Sequence, residues 1–418
     1  MSTGRASITF SVGFSKLNRK PIAWGSGFRS CPANRSRNRI FARSAALVFA
    51  LVACDSDKDI EPPAALVAFN SKLAVARVWR AKVGGKDRSL RLGLAPVTDG
   101  SMLYAAGPEG TVTAFDAPSG KIRWKTTTKL LLAGGPGVGD GVVLAGTGDG
   151  QLVALDAVTG KQRWKIRLSG EVLAAPAVSG QVIVVRTVDG RVHGLSLENG
   201  HSLWTNEEPV PKLTLRGVSR PLIVGDMVVS GFDNGKVTAY ALSTGDVLWE
   251  TAVSPPRGKT EIERLVDIDG EMVVSGRDLF VAGFQGRVAM IALDSGQIWW
   301  SREASSYRGL AIKDDAVFMT GADGVVTALK RRDGTPLWTQ DKMARRGLTA
   351  PVIDGDAVVV GDFQGYVHWL DTATGDLIAR MPTTKKKRIS NVPVVAGGIV
   401  YVQNDAGELF ALRAHTKK

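Results

Sequence analysis

From about residue 75 to residue 413, apolar positions fall in short β-branched runs separated by Asp-Gly, Thr-Gly or Asn-Gly pairs. Residues 137–156 show the pattern: G-V-G-D-G-V-V-L-A-G-T-G-D-G-Q-L-V-A-L-D. Such pairs supply the positive φ that tight hairpin turns need, so the runs predict antiparallel strands joined by hairpins. Seven segments end in a similar phrase, at 113–124, 153–164, 193–204, 238–249, 289–300, 327–338 and 368–379. In each, a Gly is followed four residues on by Trp, except that Ala379 stands in the last. Successive phrases lie 40, 40, 45, 51, 38 and 41 residues apart. Each unit is long enough for one four-stranded sheet, which cannot bury both faces alone and must stack on its neighbours. Radial stacking gives a β-propeller.

The chain ends set the count. The final unit, from Asn391, stops after three strands, and Ala76-Arg77-Val78-Trp79-Arg80-Ala81 matches the Trp-bearing strand with no unit before it. The expected fold is therefore all-β: an eight-bladed β-propeller of four-stranded antiparallel blades, its ring closed by the N-terminal strand, which also removes an exposed edge. Trp79, Trp124, Trp164, Trp204, Trp249, Trp300 and Trp338 occupy the repeat position, where inter-blade packing explains them better than a ligand platform does.

Composition adds a leader to this picture. The formal net charge is +13, but residues 1–53 hold nine Lys or Arg and no acid, and the remainder carries 44 basic against 40 acidic residues. A nucleic-acid partner loses its main support. Both cysteines, Cys31 and Cys54, precede residue 60, which excludes a disulfide framework or a Cys nucleophile in the repeat region. Arg35, Arg37, Arg39 and Arg43 precede a ten-residue apolar core, Ser44 to Ala53, too short for a spanning helix. The core ends in Leu51-Val52-Ala53-Cys54, which resembles a bacterial lipobox and implies a lipid anchor on Cys54. The expected organisation is an extension or mis-assigned start at 1–34, a lipoprotein signal peptide at 35–53, a lipidated tether at 54–74, the propeller at 75–413 and a tail at 414–418.

Candidate chemistry is sparse. His193, His201, His368 and His415 share no metal-ligand spacing. Gly146 to Gly150 is a hairpin turn rather than a phosphate loop, because no helix follows. Lys385-Lys386-Lys387-Arg388 is a solvated basic loop, with lipid headgroups as a second reading. More informative are the connectors between sheets. Trp124 to Pro136 and Trp164 to Pro176 are each 12 residues, Trp204 to Pro221 is 17, and Trp249 to the equivalent position near Met272 is 23. Two adjacent blades thus carry lengthened connectors on one face, where binding commonly sits. The first holds Leu213, Leu215 and Arg216, suited to an interface centre, and the second holds Asp267 and Asp269, expected at its rim. A second reading packs both leucines under the connector and uses the aspartates as turn caps.

The A-x-D-x-x-T-G-x-x-x-W phrase resembles the pyrroloquinoline-quinone-type propeller repeat. Quinoprotein dehydrogenases share that ring, and such an enzyme is the alternative function. Their pocket normally holds an adjacent Cys pair and a calcium site, and the repeat region here has no Cys. No catalytic residue, metal or cofactor is expected. A lipobox joined to this propeller, with L-R-G-x-S-x-P at 215–221, E-I-E-R-L-x-D-I-D at 261–269 and G-D-F-Q-G-Y-V-H-W-L at 361–370, is similar to the BamB family. The resemblance implies a non-catalytic scaffold lipoprotein of the β-barrel assembly machinery, at the periplasmic face of the outer membrane. It implies as partners the POTRA domains of BamA, other subunits of that machinery and unfolded outer-membrane clients. It also assigns Leu213, Leu215, Arg216, Asp267 and Asp269 to BamA. Asp55, directly after Cys54, raises inner-membrane retention as an alternative.

Overall fold

The computed structural model describes residues 61–85, 93–217 and 219–417. Strands in these residues form eight four-stranded antiparallel sheets, each a blade. Blades 1 to 7 begin at Val97, Leu132, Ala177, Leu222, Val273, Leu310 and Val352, and each runs four consecutive strands. Blade 8 takes three strands from the C-terminal end, Val394–Ala396, Ile399–Gln403 and Glu408–Thr416, and its fourth from Leu73–Lys82. That closing pair runs from Leu73 opposite Thr416 to Lys82 opposite Glu408, with one bulge at Val78. The ring and its closure are those expected from the repeats. Residues 1–60 lie outside the described residues, and with them the signal peptide, Cys31, Cys54 and Asp55.

The Gly–Trp phrase has a mechanical explanation. Each repeat tryptophan donates its indole N–H to a carbonyl of the next blade, at 2.8–3.0 Å in all seven cases. Its ring lies on the glycine of the next blade's phrase: a Cβ at Gly160 would come 2.6 Å from Trp124, and one at Gly375 would come 2.5 Å from Trp338. These glycines also adopt positive φ, 69° at Gly160 and 76° at Gly375. So the glycine of one blade is required by the tryptophan of the blade before it. Ala379 follows from the same contact. Blade 7 faces blade 8, whose third and fourth strands come from opposite chain ends, so no hairpin glycine is there to receive a ring.

Two further features position the functional surfaces. Every outer strand carries a bulge at the residue before the repeat position, for example Leu203 before Trp204 and Ile378 before Ala379. The connectors from outer to inner strand share one face with the turns between second and third strands: Thr128 donates its N–H to Gly110, and Val253 to Gly235. Of the stretch expected as a tether, residues 61–72 lie against blades 6 and 7. Ala64 donates its N–H to Ala344, Arg346 and Arg380 donate to the carbonyls of Ala64 and Val67, and Val67 and Phe69 join the apolar cluster containing Leu377. Ala414 to Thr416, expected in a tail, belong to the last strand.

Candidate protein-docking face

The two lengthened connectors run from Glu208 to Pro221 and from Val253 to Met272, before and after blade 4. The described residues of the first form no helix or strand. Leu213 and Leu215 are 39% and 38% exposed, and the Arg216 guanidinium reaches out to the Glu171 carboxylate at 2.7 and 2.8 Å. Glu171 lies in the connector before blade 3, so Arg216 links two sectors of the face.

The second connector makes one capped turn and then dives inward. The Glu263 carboxylate accepts the N–H groups of Lys259 and Thr260, and Thr260 Oγ1 accepts the N–H of Glu263. Beyond it Val266, Asp267 and Ile268 are buried. Asp267 takes the N–H of Phe284 on its carbonyl at 2.7 Å, and Ile268 donates to Phe232 at 3.3 Å.

The connectors are fastened together. Asp267 Oδ2 accepts the N–H of Leu215 at 2.5 Å. Asp269 packs on Gly217, where a Cβ would come 2.1 Å from its Oδ2, so a larger residue after Arg216 would displace the Asp269 carboxylate. The structure therefore brings Leu213, Leu215, Arg216, Asp267 and Asp269 to one place, but not in the expected arrangement. Asp267 and Asp269 are not a solvated rim: Asp267 is fully buried, and both lie under the connector. The reason is the path of the second connector, which crosses inward between blades 4 and 5 as it returns to the inner strand of blade 5. The leucines remain outside, so the reading that tucks them under the connector fails, while Asp267 does act as a backbone cap.

Beneath these aspartates lie two residues that sequence reasoning missed. Arg186 ends the second strand of blade 3 and pairs with Asp233 in the turn of blade 4; both are buried. Its guanidinium stacks over the Phe232 ring, 5.0 Å from the centroid. A signal existed: at the position of Arg186 the other blades carry Ala106, Gly146, Gly231, Ala282, Thr320, Gly361 and Gln403. Oxygens of Asp233, Asp267 and Asp269 lie within 4.8 Å of one another. Three carboxylates so close could ligate a cation, but the Arg186 guanidinium already supplies the positive charge among them. Burial pushes the Asp267 carboxyl up to about 8, helped by the nearby Asp269 charge. Burial likewise pushes Asp269 up to about 7, helped by Asp233.

Exposed leucines beside an arginine thus stand on a connector clamped to the ring of an eight-bladed propeller. The comparisons agree. The family model described as outer membrane protein assembly factor BamB matches residues 68–130, 108–340 and 322–418. The BamB of Pseudomonas aeruginosa is 41% identical over 367 residues, covering 88% of this chain and 96% of the relative. That of Bordetella pertussis is 35% identical, covering 86% and 92%. The crystal structure of BamB from Moraxella catarrhalis aligns with a TM-score of 0.74 at 31% identity, over 81% of this chain and all of that one. The chain belongs to the BamB family. A quinohemoprotein alcohol dehydrogenase from Comamonas testosteroni aligns with a TM-score of 0.65 at 12% identity, which reflects the shared ring alone. Membership of this family favours a non-catalytic scaffold over a quinone-dependent dehydrogenase.

Proposed function

We propose that this chain is a scaffold subunit of the machinery that assembles outer-membrane β-barrel proteins, and that it docks the POTRA domains of BamA through the connector carrying Leu213, Leu215 and Arg216. The observation that carries the reading is the Leu215–Asp267 clamp. It fixes an otherwise irregular connector, so two apolar side chains and an arginine are presented with little ordering left to lose on binding. Asp267 and Asp269 serve as the seat of that connector rather than as contacts. Lipidation at Cys54 holds the ring at the periplasmic face of the outer membrane; the relatives lend no support to inner-membrane retention through Asp55. The anchored ring then works alongside the other subunits of the machinery and their unfolded clients.

Co-purification from detergent-solubilised envelopes tests the proposal. BamA is expected with the wild-type chain and is expected to be lost when Leu213, Leu215 and Arg216 are all changed to alanine. Equal recovery of BamA with both would overturn the docking assignment. Intact mass of the purified protein tests the anchor: a diacylglycerol adduct at Cys54 is expected, and an unmodified mass would contradict it.

A further inference from the structure

The residue before the repeat tryptophan is the bulged residue of each outer strand, skipped in the pairing with the third strand. A bulge re-aims its side chain. In blades 1 and 2 the position holds Arg123 and Arg163, and both bind acids of their own blade. In four consecutive blades, 3 to 6, it holds Leu203, Leu248, Trp299 and Leu337, which are 47–55% exposed. Large apolar groups at one structural position on adjoining blades differ from the scattered exposed leucines of an ordinary surface.

Blade 7 shows how this position is covered. Its bulged residue, Ile378, is only 5% exposed. The chain's own N-terminal segment lies on it as it bends at Lys72 into the extended closing strand: Lys72 donates its N–H to the Ile378 carbonyl at 2.9 Å, and Leu73 and Val75, at the start of that strand, pack on the same apolar cluster. The bulge thus offers an extended chain one apolar side chain and one outward carbonyl. Blades 3 to 6 repeat the same bulge with no segment of the described residues on the side chain.

We infer that the outer rim of blades 3 to 6 binds extended polypeptide segments of alternating apolar and polar residues, with Leu203, Leu248, Trp299 and Leu337 as anchor points. Such alternation is the mark of unfolded barrel strands, which are about ten residues long. This identification of the occupant rests on the proposed role in barrel assembly, while the rim itself is separate from the BamA connector. The bulges bend each outer strand and break its ladder, leaving single anchor points rather than a long template.

The test uses the full mature chain and a fluorescent ten-residue peptide of alternating Val and Thr with a terminal Lys. In one variant Leu203, Leu248, Trp299 and Leu337 all become Arg; these side chains are about half exposed, so the substitutions should leave folding intact. A control variant carries Arg123→Ser and Arg163→Ser. Peptide binding should fall at least about tenfold, or 1.4 kcal/mol, in the rim variant and stay unchanged in the control. Both should keep the wild-type melting transition and bind the periplasmic region of BamA as the wild type does. No binding of the peptide to the wild type, or equal binding to the wild type and the rim variant, would overturn the inference. Loss of BamA binding with intact peptide binding, produced by Arg216→Glu, would separate the two surfaces.

Discussion

In the sector of blades 6 and 7, Arg346 reaches Asp362 through two nitrogens at 2.9 and 2.6 Å, and its remaining donors go to Gln364 and the carbonyl of Ala64. The same carboxylate takes His368 Nε2 at 3.0 Å and the N–H groups of Gln364 and Tyr366. In the sector of blades 3 to 5, Arg186 and Asp233 form a pair equally buried, but Arg186 Nε and Nη1 and one oxygen each of Asp267 and Asp269 find no hydrogen-bond partner among the described residues. Against the cost of burial, His368, the Tyr366 amide and Arg346 hold Asp362 below the usual carboxylate range, whereas Asp267 and Asp269 are driven far above it. One network fastens the chain's own N-terminal segment to the ring. The other seats a connector that must present itself to another molecule. Completeness of hydrogen bonding separates the latch from the docking seat: unsatisfied buried groups contribute less stability, so the seat adds less to the ring than the latch does, while the Leu215–Asp267 bond still fixes the connector.

The largest expected effect is in the satisfied network. Asp362→Ala leaves Arg346 and His368 buried without their shared carboxylate and should cost about 3–5 kcal/mol, read by urea unfolding. Asp233→Ala should cost less, about 1–2 kcal/mol, because Asp267 and Asp269 stand ready to serve Arg186. Equal losses in the two variants would contradict the comparison.

A pH titration should divide the sectors by sign. A carboxyl near 4 when unfolded but raised to about 8 at Asp267 and about 7 at Asp269 takes up a proton on folding. Its contribution is complete below pH ~4 and is lost as pH rises through those values. Asp362 is depressed, so its contribution is present above pH ~4 and is lost as pH falls through its lower folded value. Hydrogen exchange at the Leu215 amide should therefore quicken more, beyond the intrinsic base dependence, between pH 6 and pH 9 in the wild type than in Asp269→Asn, which removes one titrating neighbour of Asp267. Matching profiles would show that the seat is not proton-linked.

The fold was legible because one contact repeats. A tryptophan of one blade demands a glycine at a fixed place in the next, and that spacing survives in sequence even where the rest of the blade varies. Ala379 looked like an exception and is instead a consequence of closure. The lengthened connectors were legible as well, since they change the spacing of the phrases. The inward course of Asp267 and Asp269 was not, because D-I-D suits a solvated rim and a buried seat equally. Arg186 could have been found only by comparing the repeats position by position, where a charge replaces small or neutral residues. The exposed leucines and Trp299 carry no such signal, because the bulged residue before the repeat tryptophan has no fixed identity.

One titration tests most directly whether the Leu213–Arg216 connector docks BamA. The mature chain, wild type and Arg216→Glu, is titrated against the BamA periplasmic region. Arg216 is largely exposed and its charged contact is Glu171, so the substitution should leave the ring folded while setting two carboxylates against each other at the centre of the patch. A loss of about 2 kcal/mol or more, near thirtyfold in affinity, is predicted, with an unchanged melting transition. Equal affinities for two folded proteins would contradict the claim and move the docking surface elsewhere on the ring.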